Sequence, residues 1–517
     1  MWRELKSFFG INTNNTYFFA RWLCIRAVGL VYVIVFSGVL SECKALIGPS
    51  GIAPLGTFFK MLVDQEPFGF ISILHAPSLF WLSSNLVAIN VVGWCGIVAA
   101  VALTLNIYPR IALFICYIAF LSFVATGHFF VATQMDQLIL ETAFLFIFFA
   151  PSGFRPGLGL NQAPNRAGFI AVRWLLIRVM LEPGIFKFTS GNHHWLDFTA
   201  MDVMYETTPF PTFLGYIDHH LPHVYHVFEY FLTFAAELVA PLIAIFGGKA
   251  GRWVAFVIWT IFQIGIELTN NFGWLNVTAI ALGILLLDDQ MLLIVLDRCK
   301  ITYFKSHTDI RSLKNSKMST LRNLKNYTIL FHSVLTLYFF VIACDLSGKV
   351  FPSVLVKSLN SWFSNFHTAN AYPLFQGFPE HRFALEFEGS NDQGKTWRVY
   401  PFKYQPQRLD QICPFIAPSL PRFEATLQIT LGAAPNAQIY PVVASYLLAR
   451  NTEVISLFKY DPFLDSPPTM IRMPVYLLKF TDYSSYLKTG NYWQKEYQGV
   501  YTPMLYVDTN GRILQER

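Results

Sequence analysis

The sequence predicts a polytopic α-helical membrane protein that carries a C-terminal extracytoplasmic α+β domain with an antiparallel sheet. Of its 517 residues, 54% are hydrophobic and only 14% are charged, whereas soluble domains usually carry about 25% charged residues. Apolar runs close to the length that crosses a bilayer recur up to residue 346. After that point the long apolar runs stop, and short alternating segments separated by turn residues begin.

Each apolar run in the first part of the chain is a candidate membrane span. A helix needs roughly 20 mostly apolar residues to cross the hydrocarbon core. The first run is long and others follow it, so we expect it to be retained as a span rather than cleaved as a signal peptide. The nine predicted spans are residues 22–42, 83–105, 110–130, 137–151, 168–188, 228–247, 253–270, 274–296 and 328–346.

The basic residues predict which loops face the cytoplasm, because Lys and Arg are enriched beside spans on that side. The segment 297–327 is strongly basic, and a cytoplasmic N-terminus also places the loops 152–167 and 248–252 inside. These loops account for the modest net charge of +6, so we expect no nucleic-acid partner. The segments predicted to lie outside are 43–82, 131–136, 189–227, 271–273 and 347–517.

The chain therefore divides into a transmembrane helical domain, 1–346, and a soluble extracytoplasmic domain, 347–517. We expect an integral membrane protein, located in the ER membrane of a eukaryote or in the inner, cytoplasmic membrane of a bacterium. Cys413 is the single cysteine of the C-terminal region, so an internal disulfide is not expected there.

Alternating segments predict strands in the C-terminal region. His381–Glu388 alternates apolar and polar residues, residues 389–394 have turn chemistry, and Trp397–Tyr404 alternates again. This order is typical of a β-hairpin. Met470–Thr481 is predicted to be another strand, and Ile439–Leu457 is predicted to be helical.

A central stretch, Arg173–Pro211, is predicted to be a membrane helix that delivers a structured loop to one membrane face. Acids close to aromatic residues and prolines could form a site there. They could equally fix a rigid loop through caps and hydrogen bonds to backbone amides. The residues that mark this candidate functional loop are Trp195, Asp197, Thr199, Asp202, Glu206, Pro209 and Pro211.

Ionisable and polar side chains also lie within or beside the predicted spans. Such groups face the bundle interior and pair with one another, or they line a polar cavity. Pairing is favoured because buried ions are normally matched, for example Arg173 or Arg178 with one of the carboxylates. The candidate intramembrane polar residues are Asp136, Glu141, Arg173, Arg178, Glu237 and Asn271, and Glu229 and Glu267 share this setting.

Two further features have both a chemical and a structural interpretation. Lys187, near the outer end of its span, could act as a base if burial lowers its pKa, or it could reach the interface as helix-end lysines do. His219, His223 and His226 would share one helix face and could bind zinc. Pro222 interrupts that helix, so hydrogen-bonded histidines are favoured, and we expect neither a metal nor a cofactor.

Several blocks of the sequence are distinctive together with their order. They are MDQLILETAF, RWLLIRVML with KFTSGNHHWLDFTAMDVMYETTPFP, LTNNFGWLNVTAIALGILLLDD, LEFEGSNDQGKTWRVYPFKYQP, PFIAPSLPRFE, YDPFLDSPPTMIRMPVYLLKF and YWQKEYQGVYTPML. In these blocks, which extend over nearly the whole chain, and in their order, the sequence resembles the lipase maturation factor family.

The resemblance implies a folding factor that helps secreted lipases fold and assemble, among membrane lipids, and not a lipase itself. The chain has no Gly-x-Ser-x-Gly nucleophile elbow, which agrees with that implication. The chain departs from the family at Met204 and Tyr205, at Thr208 and Pro209, and at Phe423–Glu424, which favours a scaffold over a side-chain-specific reaction. The matching C-terminal motif comprises Glu388, Gly389, Ser390, Trp397, Pro414, Pro418 and Pro421.

The membrane half is also similar, more distantly, to horizontally transferred transmembrane proteins and to vitamin K-dependent gamma-carboxylases. That likeness implies a catalytic lysine near the outer end of a helix, shortly before a tryptophan-containing loop. Lys187 before Trp195 fits this arrangement. An enzyme acting on a lipid or peptide substrate, with Lys187 as base, is therefore the alternative hypothesis.

Overall fold

The computed structural model describes residues 1–10, 16–65, 69–127, 130, 133–298, 300, 329, 333, 364–433, 437–508 and 510–516. Apart from isolated positions, the predicted ninth span and the basic segment 299–327 lie outside the described residues. The predicted boundary between the two domains lies outside them as well, so this division stays a prediction.

Helices dominate the first part of the chain. The eight predicted spans that lie in the described part each coincide with a helix or a helix pair. The helices are Trp2–Phe8, Phe18–Leu46, Leu55–Gln65, Phe70–His75, Leu86–Thr104, Pro109–Val124, Gln134–Phe149, Arg166–Thr189, His193–Leu196, Ala200–Thr207, Phe213–His219, His223–Phe234, Ala240–Phe246, Gly248–Asn270, Trp274–Gly283 and Asp289–Arg298.

In the described part of the chain, fewer helices than predicted are both long and apolar enough to cross a membrane. Among the described residues there are four, or up to five if the bent pair Trp274–Leu286 and Asp289–Arg298 is one span. Pro109–Val124 is shorter, and Arg166–Thr189 contains buried charged residues that reduce its hydropathy. The protein is therefore an integral membrane protein, and the number of nine spans stays a prediction. The four helices are Phe18–Leu46, Leu86–Thr104, His223–Phe246 and Gly248–Asn270.

Close helix packing at the centre depends on small residues. Phe18–Leu46 packs along Leu86–Thr104. A Cβ atom at Gly96 would lie 2.4 Å from the Phe36 ring, and one at Gly93 would lie 2.5 Å from Leu40. Glycine at these two positions lets the backbones approach, as small residues do between membrane helices.

The helix His223–Phe246 is interrupted by a π-helical turn at Ala235–Val239. Pro241 is the second residue of the helical segment Ala240–Phe246 that follows this turn. Proline has no N–H for the helix ladder, so the wider turn accommodates it. The turn contains Glu237, which is buried, and π-turns are frequent at functional sites.

Described residues of segments that were predicted to lie outside contact the C-terminal region. Lys44 Nζ lies 2.5 Å from Glu453 Oε1, and Asn451 Nδ2 donates to the Ser50 carbonyl over 2.8 Å. Predicted inner segments contact one another, since Arg21 donates to the carbonyl of Gln162 at 2.9 Å. These contacts agree with the grouping of the segments that the basic residues predict, and the side of the membrane on which each group lies stays a prediction.

The C-terminal region contains antiparallel strands in two sheets. The strands are β1 (Arg382–Leu385), β2 (Glu388–Ser390), β3 (Arg398–Val399), β4 (Met470–Arg472), β5 (Pro474–Phe480), β6 (Trp493–Val500), β7 (Leu505–Val507) and β8 (Ile513–Gln515). One sheet has the order β1-β5-β6 and the other has the order β3-β2-β4-β7-β8. The helices among the described residues of this region are Arg422–Ala433, Ile439–Leu448, Thr452–Ile455 and Tyr483–Thr489.

The predicted hairpin is present but shorter than expected. Strands β2 and β3 pair antiparallel, with Glu388 opposite Val399. The segment 381–388 is not one strand, because β1 leaves this hairpin and pairs with β5 in the other sheet. Met470–Thr481 likewise divides into β4 and β5, which join different sheets. The predicted helix within 439–457 is confirmed as two helices.

Candidate functional site at the outer loop and the C-terminal region

Several buried charges in the membrane half are paired, and the first pair joins Arg178 to Glu141. Arg178 Nη2 donates to Glu141 Oε1, and Arg178 Nη1 donates to the Asn370 carbonyl at 2.7 Å. The second Glu141 oxygen accepts from the Tyr372 hydroxyl at 2.7 Å. A buried ion pair is stable only when further hydrogen bonds satisfy it, and here the C-terminal region supplies them.

Arg173 does not take the carboxylate partner that the sequence suggested. Its guanidinium donates to the Phe8 carbonyl and, over 2.6 and 3.1 Å, to the Leu285 carbonyl. It also lies over the rings of Phe8, Tyr17 and Phe169, 4.5 to 4.8 Å from their centroids. Backbone oxygens and ring faces thus stabilise this cation near the N-terminus.

Lys187 is buried and held by Glu237. Its Nζ lies 2.6 and 2.8 Å from the two carboxylate oxygens, and it lies 5.0 Å from the Trp195 ring centroid. The Leu374 carbonyl accepts a longer hydrogen bond of 3.4 Å. Lys187 therefore does not reach the interface, and Glu237 is the partner of this lysine rather than of an arginine.

A cavity of about 240 Å³ lies beside this ion pair. Asn270 is 1% exposed, yet its Oδ1 has no hydrogen-bond partner within the described part of the chain, and the same holds for Glu229 Oε2. The cavity thus combines apolar walls with a few polar groups, as small-molecule sites do. Its polar lining includes Lys187, Tyr205, Asp218, Glu229, Glu237 and Asn270.

The candidate functional loop folds into short helices and packs over the cavity. Trp195 Nε1 donates to the Phe375 carbonyl at 2.9 Å, and the Tyr230 hydroxyl donates to the Trp195 carbonyl at 2.9 Å. Thr199 contacts His194, whereas Asp197 is exposed at the end of the helix His193–Leu196. The loop is thus tied down from the membrane half and from the C-terminal region.

Asp202 contacts two of the three histidines that the sequence offers as zinc ligands. His223 Nδ1 lies 2.9 Å from Asp202 Oδ2, and His226 Nδ1 lies 2.6 Å from Asp202 Oδ1. His219 lies on the preceding helix and packs on the Phe480 ring at 5.2 Å. The hydrogen-bonded interpretation of His223 and His226 therefore agrees with the structure. Burial, with the neighbouring His220 and His226, lowers the pKa of His219 to about 4.

The end of the loop docks on the C-terminal strands. Glu206 Oε2 accepts from the Phe480 backbone N–H at 2.7 Å, and burial raises the pKa of Glu206 above its usual value, although that hydrogen bond opposes the rise. Arg382 donates to the carbonyls of Thr208 and Pro209. Pro211 is buried directly after these contacts.

Asn271 connects the membrane half with the proline motif of the C-terminal region. Its backbone is left-handed, with φ of 54°. Its amide donates to the carbonyls of Phe210 and Pro414, at 3.2 and 3.0 Å. Its oxygen accepts from the backbone of Ile416 at 3.0 Å and of Ala417 at 3.2 Å. The segment containing Pro414 and Pro418 is thereby fixed to the turn after a membrane helix.

Asp136 forms a second buried connection between the two halves. It closes a capping box with Thr133 at the start of its helix and accepts from both terminal nitrogens of Arg422, at 2.9 and 3.1 Å. Pro421 lies directly before Arg422, and its carbonyl begins the helix Arg422–Ala433 by accepting from the Ala425 N–H at 2.9 Å. Asp136 thus contacts the helix that begins directly after Pro421.

The remaining motif residues make contacts within the C-terminal region. Glu388 accepts from Arg472 Nε at 2.6 Å, and that guanidinium lies 4.3 Å from the Trp397 ring centroid. A Cβ atom at Gly389 would lie 2.6 Å from the Phe463 ring. Ser390 Oγ accepts from the Gly394 N–H at 2.9 Å. These contacts fix the hairpin of β2 and β3.

The sequence reasoning missed the segment between residues 364 and 378. Asn370, Tyr372 and Leu374 supply backbone groups to Arg178, Glu182 and Lys187. Phe375 accepts from Trp195 and lines the cavity. The aromatic residues of AYPLFQGF could have indicated burial, but no periodic pattern reveals an extended chain that fills a helix bundle.

The fold and this interface define a class of protein: a helical integral membrane protein whose loops at one end are fastened to a C-terminal region of antiparallel sheets. Residues 19–294 match the family described as lipase maturation factor transmembrane domain. Residues 368–503 match the lipase maturation factor C-terminal domain. The chain belongs to the lipase maturation factor family.

Curated relatives cover nearly the whole chain. The protein is 26% identical to human lipase maturation factor 1, over 95% of this chain and 88% of the relative. It is 24% identical to human lipase maturation factor 2, over 93% of this chain and 82% of the relative. No solved structure matches the chain.

Proposed function

We propose that this protein is a membrane-anchored maturation factor that assists the folding and assembly of secreted proteins such as lipases, without a catalytic step. The names of its relatives support this function. The observation that carries it is the joint surface of the outer loop and the C-terminal strands. This surface is fixed by Glu206 on Phe480 and by Arg382 on Thr208 and Pro209.

A fixed surface suits a factor that holds a client during folding. Binding is weakened when loops must be ordered on association, and here the loop is already ordered by buried contacts. The contacts of the predicted outer segments with the C-terminal region support a topology in which the N-terminus is cytoplasmic and the C-terminal region is extracytoplasmic. Labelling of single introduced cysteines with a membrane-impermeant reagent tests that orientation.

The client hypothesis is tested in cells that lack the gene. We expect secreted lipase activity to fall while lipase synthesis continues, and we expect the wild-type chain to restore it. Full activity of every secreted lipase in the deletion cells would contradict a lipase client. Glu206→Ala, which removes the acceptor of the Phe480 N–H, should restore activity poorly at equal protein level. Exposed Glu496 gives a matched control, Glu496→Ala.

The cavity favours a second candidate function, that of a membrane enzyme with Lys187 as base. A lipid or peptide substrate could enter a space lined by Lys187 and Glu229. The contact with Glu237 at 2.6 Å favours a structural role for the lysine instead. The variant Lys187→Arg distinguishes the catalytic role from the structural role, because arginine keeps the ion pair but cannot deprotonate in a protein. Full complementation by Lys187→Arg would reject the enzyme.

A further inference from the structure

Two adjacent histidines of the outer loop lie side by side next to a carboxylate. Asn192 caps the helix His193–Leu196, and its side chain accepts from the His194 N–H at 3.1 Å. The ring centroids of His193 and His194 are 4.0 Å apart. Glu380 reaches this pair from the chain that leads into β1, with Oε1 3.9 Å from His193 Nε2.

His194 has the environment of a metal ligand. The side chain is 8% exposed and stacks on the Phe378 ring, with centroids 5.5 Å apart. Its Nδ1 lies 2.9 Å from Thr199 Oγ1. Its Nε2 is buried and has no hydrogen-bond partner among the residues that the structure describes. Histidines that bind metals use one ring nitrogen and hydrogen-bond the other to an oxygen.

The three side chains can reach one ion together. One ligand atom from each of His193, His194 and Glu380 lies within 4.8 Å of the other two. Zinc bonds to nitrogen and carboxylate oxygen are about 2.0 to 2.2 Å long, so two ligands in a tetrahedral site lie roughly 3.5 Å apart. The side chains of His193 and Glu380 are 56% and 64% exposed and are free to close the remaining distance.

We infer that His193, His194 and Glu380 form a binding site for a divalent transition-metal ion of the zinc class. Two imidazole nitrogens and one carboxylate oxygen suit zinc, which leaves a fourth position for water or for a ligand from a client. This inference does not rest on the maturation function. It also reassigns the metal chemistry of the loop, because the trio considered from sequence was His219, His223 and His226.

Metal binding at this site would connect two segments that are distant in sequence. The histidines belong to the outer loop, and Glu380 lies two residues before Arg382, which already holds the end of that loop. Gly377 approaches the same place, since a Cβ atom there would lie 3.2 Å from Asn192 Nδ2. An ion would therefore add a second clamp between the loop and the C-terminal region.

The test is zinc binding to the full-length protein. The chain is purified in detergent with an affinity tag that contains no histidine, stripped with EDTA and titrated with zinc chloride against a colorimetric chelator. Bound zinc is measured after gel filtration. We expect one equivalent of zinc per chain and a rise in the apparent melting temperature on zinc addition. An affinity equal in the wild type, His194→Ala and Glu380→Gln, or no binding at micromolar zinc, overturns the site.

Variants separate metal ligation from folding. His194→Ala should weaken zinc binding at least tenfold, and Glu380→Gln, at an exposed position, should do so without affecting the fold. Thr199→Val should weaken binding about 10- to 100-fold, the usual effect of removing an outer-shell partner. The Thr199 side chain makes no cap hydrogen bond, so the helix is retained. Exposed His381 gives the matched control, and His381→Ala should leave zinc affinity unchanged.

Discussion

Arg422 and Asp136 form a buried two-point ion pair between the C-terminal region and the first turn of a membrane-half helix, with nitrogen–oxygen distances of 2.9 and 3.1 Å. Their side chains are 3% and 0% exposed. The Phe130 carbonyl accepts a further hydrogen bond from Arg422 at 3.0 Å. This pair is thus fully enclosed, and both halves of the chain are needed to build it.

Breaking this pair should destabilise the whole protein. Removal of one partner leaves an uncompensated buried charge, which costs about 3–5 kcal/mol. We therefore expect Asp136→Asn and Arg422→Gln each to lower the apparent melting temperature in detergent. The double variant should lower the melting temperature by less than the sum of the two single decreases, because the second substitution removes the charge that the first leaves unpaired. Additive losses would show that the two side chains do not interact.

Asn271 combines a backbone requirement with a side-chain requirement. Asn271→Gly keeps the left-handed backbone at φ of 54° but loses the four side-chain hydrogen bonds, at roughly 1 kcal/mol each. Asn271→Ala loses the same bonds and adds backbone strain of about 1 kcal/mol or more. Alanine should therefore lower the apparent melting temperature more than glycine does. Equal melting temperatures of Asn271→Gly and Asn271→Ala would show that backbone strain at this position does not affect stability.

The Lys187–Glu237 pair should show the same coupling inside the membrane half. Lys187→Met leaves Glu237 buried without its partner, while Lys187→Met with Glu237→Leu replaces both charges by apolar groups. Replacing a whole buried pair is often neutral for stability, whereas removing one partner is costly. We expect the double variant to melt above Lys187→Met. Lipase secretion is then measured in cells that carry either variant, so that an effect on function can be distinguished from an effect on stability.

Glu424 should make stability depend on pH. Burial raises the pKa of this carboxyl from 4.5 to about 7, although backbone hydrogen bonds from residues 403–405 oppose the rise. The folded state thus holds the proton more tightly than the unfolded chain. The resulting stability is complete below pH 4.5 and is lost as the pH rises to 7, by about 3 kcal/mol at most.

Melting curves between pH 5 and pH 8 check this dependence. The wild type should lose more stability across the range than Glu424→Gln, which stays neutral at every pH. Exposed Glu496 supplies the control variant Glu496→Gln, whose pH profile should follow that of the wild type. If the melting temperatures of the wild type and of Glu424→Gln changed with pH in the same way, the pKa of Glu424 would not be raised in the folded protein.

The sequence predicted the positions of the helices well, because a chain in lipid must satisfy its backbone within each helix. The predicted span 22–42 lies inside Phe18–Leu46, and 168–188 lies inside Arg166–Thr189. The partners of buried charges were harder to predict. Glu237 meets Lys187 through a π-turn, and a local irregularity of this kind leaves no periodic signal.

The favoured interpretation of His223 and His226 as hydrogen-bonded agrees with the structure, whereas the pairing of the strands was predicted wrongly. Pro222 separates the helix that contains His219 from the helix that begins at His223, so the three histidines do not share one face. A single alternating run, 381–388, was expected to pair with 397–404. The chain instead changes sheets between β1 and β2, and alternation alone does not specify a partner strand.

The segment around Tyr372 sets an order of events during synthesis. The Arg178 guanidinium donates to the carbonyl of Asn370, 192 positions further along the chain. Glu182 accepts from the N–H of Tyr372, 190 positions further along. Proteins emerge from the ribosome N-terminus first. The helices that carry Arg178 and Glu182 are therefore synthesised before the partners that complete the hydrogen bonding of these buried ions.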